Sequence, residues 1–252
     1  MKTCVIAPMG TSPPVVSEYI DWLYRHNQYV NDVVIIDTQE KRVRASTEIV
    51  RIAFLEKFPD LRVHVHTLEY PDIDSTERNI EFMRVCAEII KEEREKHNVE
   101  RVILNVGGGR KNMCITLTLV GQLLGVNGAF HVVNKNVQDV NLTLEKMRKD
   151  IEDIYELTSD EEKLDRFRAK KEDFEHLLFP DESQYEIIQL PVIPLPPEVL
   201  GIIKTLLCEE SDVELHAEMR RYKELLANAG LGYWERGRFR TEKFGEEIGK
   251  LL

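Results

Sequence analysis

The sequence lacks several patterns that define common classes of protein. Its four cysteines are widely separated and include no CxxC pair, which argues against a zinc site or a disulfide framework and predicts a reducing compartment. No apolar run approaches the roughly 20 residues of a membrane-spanning helix. The apolar run near the start is shorter than a secretory signal and predicts a buried strand. We therefore expect a cytoplasmic protein without a membrane partner.

Positive charge is also scarce. The chain has 34 Lys and Arg against 45 Asp and Glu, which gives a net charge of −11. Residues 151–194 alone hold 5 of the basic and 13 of the acidic side chains. No part of the chain is basic enough for non-specific binding of long nucleic acid. An anionic ligand would therefore need a local cluster of cations.

Apolar runs alternate with amphipathic helical patterns over residues 1–136, which we expect to form a Rossmann-like ligand-binding domain. Buried strands are predicted at residues 2–8, 32–37, 61–68, 101–106 and 128–134. The alternation predicts an α/β fold, with a parallel sheet and helices on both faces. In such sheets ligands bind beyond the carboxyl ends of the strands, where the strand order switches.

A glycine-rich stretch follows the fourth predicted strand and opens an apolar helix. It consists of Gly107, Gly108, Gly109, Arg110, Lys111 and Asn112. Glycines let a ligand approach the main chain closely, and a helix start offers unpaired N–H groups and a positive dipole end. With two cations beside it, this stretch predicts a phosphate-binding site. The structural alternative is an ordinary turn whose cations are solvated.

A second loop with suitable chemistry follows the first strand. Gly10, Thr11 and Ser12 lie there, and the hydroxyl groups of Thr11 and Ser12 would face the same edge of the sheet. Ser12 is also a natural N-cap for the next helix, so a well-capped helix start is the alternative interpretation. Thr38 and Gln39 follow the second strand and are expected at the same edge. Two suitable loops at one edge are stronger evidence than either alone.

The third strand carries His64 and His66, which would point to the same face. Two histidines without a clear third ligand are weak evidence for zinc, because protein zinc sites use three or four ligands. The sequence therefore predicts no metal site and no cofactor.

The rest of the chain divides into two parts. Residues 137–194 are highly charged and predict helices, a short strand and a proline-rich connector. Residues 195–252 predict helices and a hairpin, as in a small winged-helix-like domain. Arg236, Arg238 and Arg240 lie on the predicted wing, but this part has a net charge of −2, so DNA binding is weakly supported. Dimer packing and ligand capping are the alternatives.

The two glycine loops together resemble those of CARF proteins, the CRISPR-associated Rossmann-fold family. The closest similarity is to the standalone ring nucleases of type III CRISPR systems, over about residues 1–190. This resemblance implies a homodimer that binds cyclic oligoadenylate, most often cyclic tetra-adenylate, across its two-fold axis. It also implies metal-independent cleavage by attack of the ribose 2′-OH, which switches off antiviral signalling.

The resemblance also implies roles for individual residues. Ser12 matches the family's loop serine, and Arg110 with Lys111 matches its basic pair. Ser12 and Lys111 are therefore expected to be catalytic. The family uses a further lysine from the segment after the sheet. Lys170 and Lys171 are the candidates, and Lys135 is an alternative.

Other functions stay open. A CARF sensor would bind the ring and signal through its C-terminal domain with little or no cleavage. An RxxxxH motif of HEPN ribonucleases is absent from residues 195–252, which disfavours a ribonuclease effector. An unrelated dinucleotide enzyme is also disfavoured, because no GxGxxG follows the first strand.

Overall fold

A six-stranded sheet organises the protein. The structure is a computed structural model that describes residues 1–193, 195–208, 217–236 and 238–252. The strands are β1 (Thr3–Pro8), β2 (Asp32–Asp37), β3 (Arg62–Thr67), β4 (Arg101–Asn105), β5 (Gly128–Asn134) and β6 (Tyr185–Leu190). Their order is β3-β2-β1-β4-β5-β6, with β1 to β5 parallel and β6 antiparallel to β5. The predicted parallel sheet is therefore confirmed.

Helices cover both faces of this sheet, as predicted. They are α1 (Pro14–Arg25), α2 (Lys41–Lys57), α3 (Thr76–Glu95), α4 (Lys111–Leu123), α5 (Val137–Glu156), α6 (Asp160–Arg168) and α7 (Lys171–Leu178). Alternate residues of β1 explain the two layers. Val5 and Ala7 join the core under α1, α2 and α5, whereas Cys4 and Ile6 join the core under α3 and α4. None of the described helices has both the length and the apolar character needed to cross a membrane.

The starts of α3 and α1 differ in their caps, and the predicted cap of α1 by Ser12 is wrong. Ser75 caps α3, because its hydroxyl oxygen accepts a hydrogen bond from the backbone N–H of Arg78 at 3.2 Å. Ser12 does not cap α1. The N-cap residue is Pro13, with no side-chain cap hydrogen bond. The fixed φ of Pro13 and Pro14 suits a helix start, so Ser12 lies one residue too early in the chain.

The C-terminal part contains helices and a hairpin in the predicted order. Its elements are α8 (Pro197–Cys208), α9 (Ala217–Asn228), β7 (Gly232–Glu235), β8 (Arg238–Thr241) and α10 (Lys243–Leu251). The sequence predicts that the second of these helices begins at residue 213, and this position lies outside the described residues. The winged-helix class and the domain boundaries at residues 136 and 194 stay predictions.

The last helix is attached to the sheet domain by direct contacts. The guanidinium of Arg84 on α3 donates to the Glu247 carboxylate of α10 at 2.6 Å. Lys91 Nζ donates to the backbone oxygen of Leu251, also at 2.6 Å. Leu251 is buried in the same core as α3 and α4. The end of the chain is therefore packed against the Rossmann-like layer.

The strand order places the switch point between β1 and β4. β1 pairs with β2 on one side and with β4 on the other. The chain therefore leaves β1 and β4 toward opposite sides of the sheet, which opens a crevice at their carboxyl ends. The two predicted loops begin at these two strand ends.

Candidate functional site

The loops after β1 and β4 are in direct contact at the switch point. A Cβ atom on Gly10 would lie 3.0 Å from the backbone nitrogen of Gly109. A Cβ atom on Gly108 would lie 2.5 Å from the backbone oxygen of Pro8. Gly109 itself has a φ of +80°, in the left-handed region that side chains disfavour. Glycine is therefore required here by the close approach of two backbones.

A buried asparagine holds these loops together. Asn105, at the end of β4, is fully buried. Its Oδ1 accepts a hydrogen bond from the backbone N–H of Gly107 at 3.0 Å, and its Nδ2 donates to the backbone oxygen of Val15 at 2.8 Å. One side chain therefore fixes the glycine turn relative to the start of α1.

The start of α4 is open to a ligand. Arg110 is its N-cap residue and makes no side-chain cap hydrogen bond. The amide of Met113 is bound by Oδ1 of Asn112 at 3.0 Å. Among the described residues no side chain caps the preceding amides of the first turn, so they and the dipole can receive an anion.

A cleft of about 460 Å³ lies on the β2 side of the switch point. Its lining includes predicted site residues, namely Gly10, Thr11, Thr38, Gly109 and Arg110. Gln39 is exposed and is not part of this lining. Asn112 binds the neighbouring loop instead, because its Nδ2 donates to the backbone oxygen of Ile73 at 2.9 Å.

Sequence reasoning missed other residues of this cleft. Met9 and Met113 are buried apolar walls, and Arg42 adds a further cation. Glu40 and Asp72 add carboxylates. The loop after β3 gave no motif that would have identified Asp72 from the sequence.

The two predicted cations differ in their surroundings. Arg110 is bound in a bidentate pair by Asp72, with Nε–Oδ1 at 3.0 Å and Nη2–Oδ2 at 2.6 Å. Lys111 is exposed, and no carboxylate among the described residues pairs with it. Lys111 can therefore meet an incoming anion directly, whereas Arg110 must first leave a carboxylate.

Ser12 lies on the other side of the switch point. It lines a smaller cavity of about 220 Å³ together with Val15, His131 and Asn134. The structure therefore divides the predicted residues between two neighbouring cavities. Thr38 and Arg110 belong to one, and Ser12 belongs to the other.

A buried acid lies next to this smaller cavity. Glu18 of α1 is 0% exposed and is bound by the side-chain amide of Asn134. Burial raises the pKa of Glu18 to about 7, an effect that the hydrogen bond from Asn134 partly opposes. A carboxyl group that titrates near neutral pH therefore lies close to the loop that carries Ser12.

The structure places Lys170 and Lys171 in ion pairs with residues on α5 and α2, and their catalytic role stays a prediction. Lys171 Nζ lies 3.1 Å from Glu56. Glu56 is about 22 Å along α2 from the helix start that borders the cleft. Lys170 Nζ donates to Asp150 at 2.6 Å, and Asp150 is about 200° around α5 from Arg148, which faces the β1 loop. Both lysines are therefore held away from the loops of their own chain.

Lys135, the alternative candidate, also has a hydrogen-bond partner. Lys135 Nζ donates to the backbone oxygen of Ser183 at 2.8 Å, next to β6. The cation that α5 does bring to the site is Arg148. Its side chain is only 11% exposed, and its Nη1 lies 3.4 Å from the backbone oxygen of Thr11. A single arginine in a charged helix gave no sequence signal for this contact.

The histidines of β3 lie on the outer strand of the sheet. His64 Nε2 is 3.4 Å from Asp32 Oδ1. No group of three or more His, Cys, Asp or Glu side chains in the described ranges is arranged to hold a metal ion. The absence of a metal site stays a prediction.

Known families and structures provide independent comparisons. The family model of CRISPR-associated protein NE0113 matches residues 12–225. A relative, the CRISPR system ring nuclease SSO2081 of Saccharolobus solfataricus, is 28% identical over 149 residues. The alignment covers 58% of this chain and 78% of the relative.

A solved structure that the comparison matches is Enterococcus italicus Csm6 bound to cyclic hexa-2′-fluoro-hexa-dAMP. It matches with a TM-score of 0.46 and 14% identity, over 99% of this chain. The chain spans about half of the Csm6 chain, 53% of its length. The expected resemblance to CRISPR-associated Rossmann-fold proteins is confirmed. Since the family model covers most of its length, this chain belongs to the CRISPR-associated protein NE0113 family.

Proposed function

We propose that this protein is a metal-independent ring nuclease that binds and cleaves cyclic oligoadenylate. The observation that carries the proposal is the pair of touching loops at the switch point, where the open start of α4 meets Arg110 and Lys111. Membership of a CRISPR-associated family and similarity to a relative named as a ring nuclease support it. We propose cyclic tetra-adenylate as the substrate and a cytoplasmic role in ending type III CRISPR signalling.

The site offers complementary surfaces for such a ligand. Backbone amides and Lys111 can bind phosphate oxygens, because both supply charge-assisted hydrogen bonds. The neighbouring cleft has apolar walls from Met9, Val43 and Met113, against which an adenine ring can pack. The ligand therefore contacts the loops through phosphate and the cleft through its base.

Cleavage requires no nucleophile from the protein. The 2′-oxygen of one ribose attacks the adjacent phosphorus, and the bond from phosphorus to the 5′-oxygen breaks. The products carry a 2′,3′-cyclic phosphate and a 5′-hydroxyl; the proton lost by the 2′-oxygen goes to solvent, and one from solvent restores the 5′-hydroxyl. The site contributes in-line alignment and positive charge around the phosphorane. Ser12 and Lys111 are the side chains to which we assign these roles.

A homodimer forms part of the proposal. A ring with two-fold symmetry is matched by an isologous dimer, in which both subunits present the same loops. Light scattering with and without the ring tests this state, and a monomer under both conditions would contradict it.

The direct test uses labelled cyclic tetra-adenylate with EDTA present. We expect linear products ending in a 2′,3′-cyclic phosphate, and no cleavage of a ring in which every scissile 2′-hydroxyl is replaced by hydrogen. A dependence on added metal ions would contradict the mechanism. Absence of ring binding would contradict the function as a whole.

A double variant, Arg110→Ala with Lys111→Ala, tests the loop itself. We expect ring affinity to fall by about 3 kcal/mol, because two charge-assisted contacts are lost. The matched control is Arg220→Ala with Arg221→Ala on α9, which removes the same charge far along the chain. Equal affinities for the two double variants would exclude the loop as the phosphate site.

A sensor is the second candidate function. The contacts of α10 with Arg84 and Lys91 favour it, because they connect the C-terminal elements to the layer that carries the site. Tight ring binding without cleavage in the same assay would support this alternative.

A further inference from the structure

The Asp72 carboxylate binds the Arg110 guanidinium, which is the group that we expect to bind a phosphate. Both of its carboxylate oxygens bind the Arg110 guanidinium, at 3.0 and 2.6 Å. The pair lies in the lining of the 460 Å³ cleft, beside the open start of α4. Guanidinium groups bind carboxylate and phosphate in the same bidentate manner, so the two anions compete for one site.

The position of Asp72 does not depend on Arg110. Its Oδ1 also accepts a hydrogen bond from the backbone N–H of Ile73 at 2.8 Å. The Ile73 backbone oxygen is bound by Asn112 at 2.9 Å, and the Asp72 backbone oxygen by Arg78 at 3.3 Å. The loop therefore stays on α4 when Arg110 leaves, and the carboxylate remains in the cleft.

Arg110 has the freedom to change partner. Its side chain is 69% exposed, whereas that of Asp72 is 35% exposed. A solvated bidentate pair is stable enough to form and weak enough to exchange. The exchange leaves Asp72 without its cation, so any anion that takes Arg110 must overcome the loss of this pair.

We propose that Asp72 is an internal competitor for the Arg110 guanidinium, which raises the intrinsic affinity that any anion needs and so keeps single-phosphate ligands out of the Arg110 site. Inorganic phosphate and mononucleotides make few contacts and cannot displace the carboxylate at ordinary concentrations. A ligand with several phosphates also engages Lys111 and the α4 amides, and it binds in spite of the competition. The inference rests on the proposed function in naming the favoured ligand as cyclic oligoadenylate.

The decisive variant is Asp72→Asn. Asparagine keeps an oxygen acceptor for the Ile73 amide and removes the charge that holds Arg110. We expect the Kd for 5′-AMP and for inorganic phosphate to fall about fivefold. The Kd for cyclic tetra-adenylate should fall by a similar factor, because both kinds of ligand need the same guanidinium.

A matched control lies two residues away. Asp74 pairs with Arg78 at 2.7 Å and is 62% exposed, so Asp74→Asn changes the net charge equally without touching Arg110. We expect wild-type affinities for this control. A double variant, Asp72→Asn with Arg110→Ala, should bind 5′-AMP no better than Arg110→Ala alone.

Each other outcome overturns the inference. Weaker binding by Asp72→Asn would mean that Asp72 orients Arg110 for the ligand. Equal effects of Asp72→Asn and Asp74→Asn would mean that only net charge matters. Failure of Asp72→Asn to bind phosphate or 5′-AMP at millimolar concentrations would mean that the released guanidinium is not a phosphate site.

The phosphate and 5′-AMP titrations involve no ring and no cleavage. They therefore report on Asp72 even if cyclic tetra-adenylate proves not to be the ligand. Melting temperatures of both single variants confirm that each remains folded.

Discussion

The side-chain amide of Asn134 lies 3.0 and 3.1 Å from the two carboxylate oxygens of Glu18. This contact joins the end of β5 to α1, beside the cavity that Ser12 lines. Burial raises the pKa of Glu18 to about 7 from an ordinary value of 4.5. Between pH 4.5 and pH 7 the Glu18 carboxyl group therefore stays protonated in the native state, whereas it has lost its proton in the unfolded chain. The free energy of unfolding contributed by Glu18 therefore falls as pH rises from 4.5 to 7.

Glu18→Gln tests this relationship. The side chain of the variant cannot ionise. Between pH 4.5 and pH 8 the free energy of unfolding should therefore decrease less for the variant than for the wild type, and the two decreases should differ by up to about 3 kcal/mol. Urea unfolding at a series of pH values measures the difference. The control is Glu88→Gln at an exposed position of α3, which should follow the wild-type curve. Parallel curves for wild type and Glu18→Gln would show that Glu18 does not take up a proton on folding.

Arg148 should support cleavage through its contact with the β1 loop. Arg148→Met keeps the apolar stem and removes the cation beside Thr11. We expect the single-turnover rate to fall about 10²-fold, because a fixed positive charge next to the reacting phosphate is lost. Arg148→Lys should recover part of the rate.

The matched control for Arg148 is Arg166→Met. Arg166 of α6 pairs with Asp150 and Asp153 of α5, the helix that carries Arg148, and is 46% exposed. The Arg166→Met variant should cleave the ring at the wild-type rate. Equal rates for the Arg148 and Arg166 variants would exclude a role for Arg148 in the reaction.

Ser12→Ala should separate a chemical role from a structural one. Since α1 has no side-chain cap from this residue, we expect the free energy of unfolding to change by less than about 0.5 kcal/mol. The single-turnover rate should fall about 10²–10³-fold if the hydroxyl acts mainly in the transition state. Urea unfolding and rapid-quench cleavage provide the two measurements. A wild-type rate would contradict the catalytic role of Ser12.

Gly108→Ala should disturb the contact between the two loops. The new Cβ would lie 2.5 Å from the Pro8 oxygen and 3.1 Å from Val15 Cγ2. We expect a loss of about 1–3 kcal/mol in stability and weaker ring binding, because a backbone must shift. Gly201→Ala on α8 is the control: its Cβ meets nothing within 4 Å and should stabilise that helix by about 0.5–1 kcal/mol. Similar changes in stability for the two variants would contradict the crowding argument.

The sequence predicted the sheet and its loops well, because these depend on local patterns. The continuous apolar run Val5, Ile6 and Ala7 marks a strand buried on both sides, and glycines mark the close approach of Gly10 and Gly109. Both features can be recognised from a few consecutive residues of the sequence.

Other parts of the site depend on contacts between distant segments. Asp72 meets Arg110 across 38 residues, and Arg148 meets Thr11 across 137. The charged helices after β5 look alike in composition, so the sequence could not distinguish Lys170, held by Asp150, from Arg148, which faces the loop. The contact of Arg148 with the β1 loop depends on the three-dimensional path of the chain over the sheet, which local sequence patterns do not contain.

The antiparallel strand β6 has a consequence for biogenesis. It joins β5 only after α5, α6 and α7 have been made, whereas β1 to β5 and both loops are complete by residue 134. During synthesis from the N-terminus, the outer backbone groups of β5 therefore stay unpaired until residue 190 has left the ribosome. Throughout that interval β5 is an unpaired edge of the sheet, and the arrival of β6 satisfies its outer backbone groups.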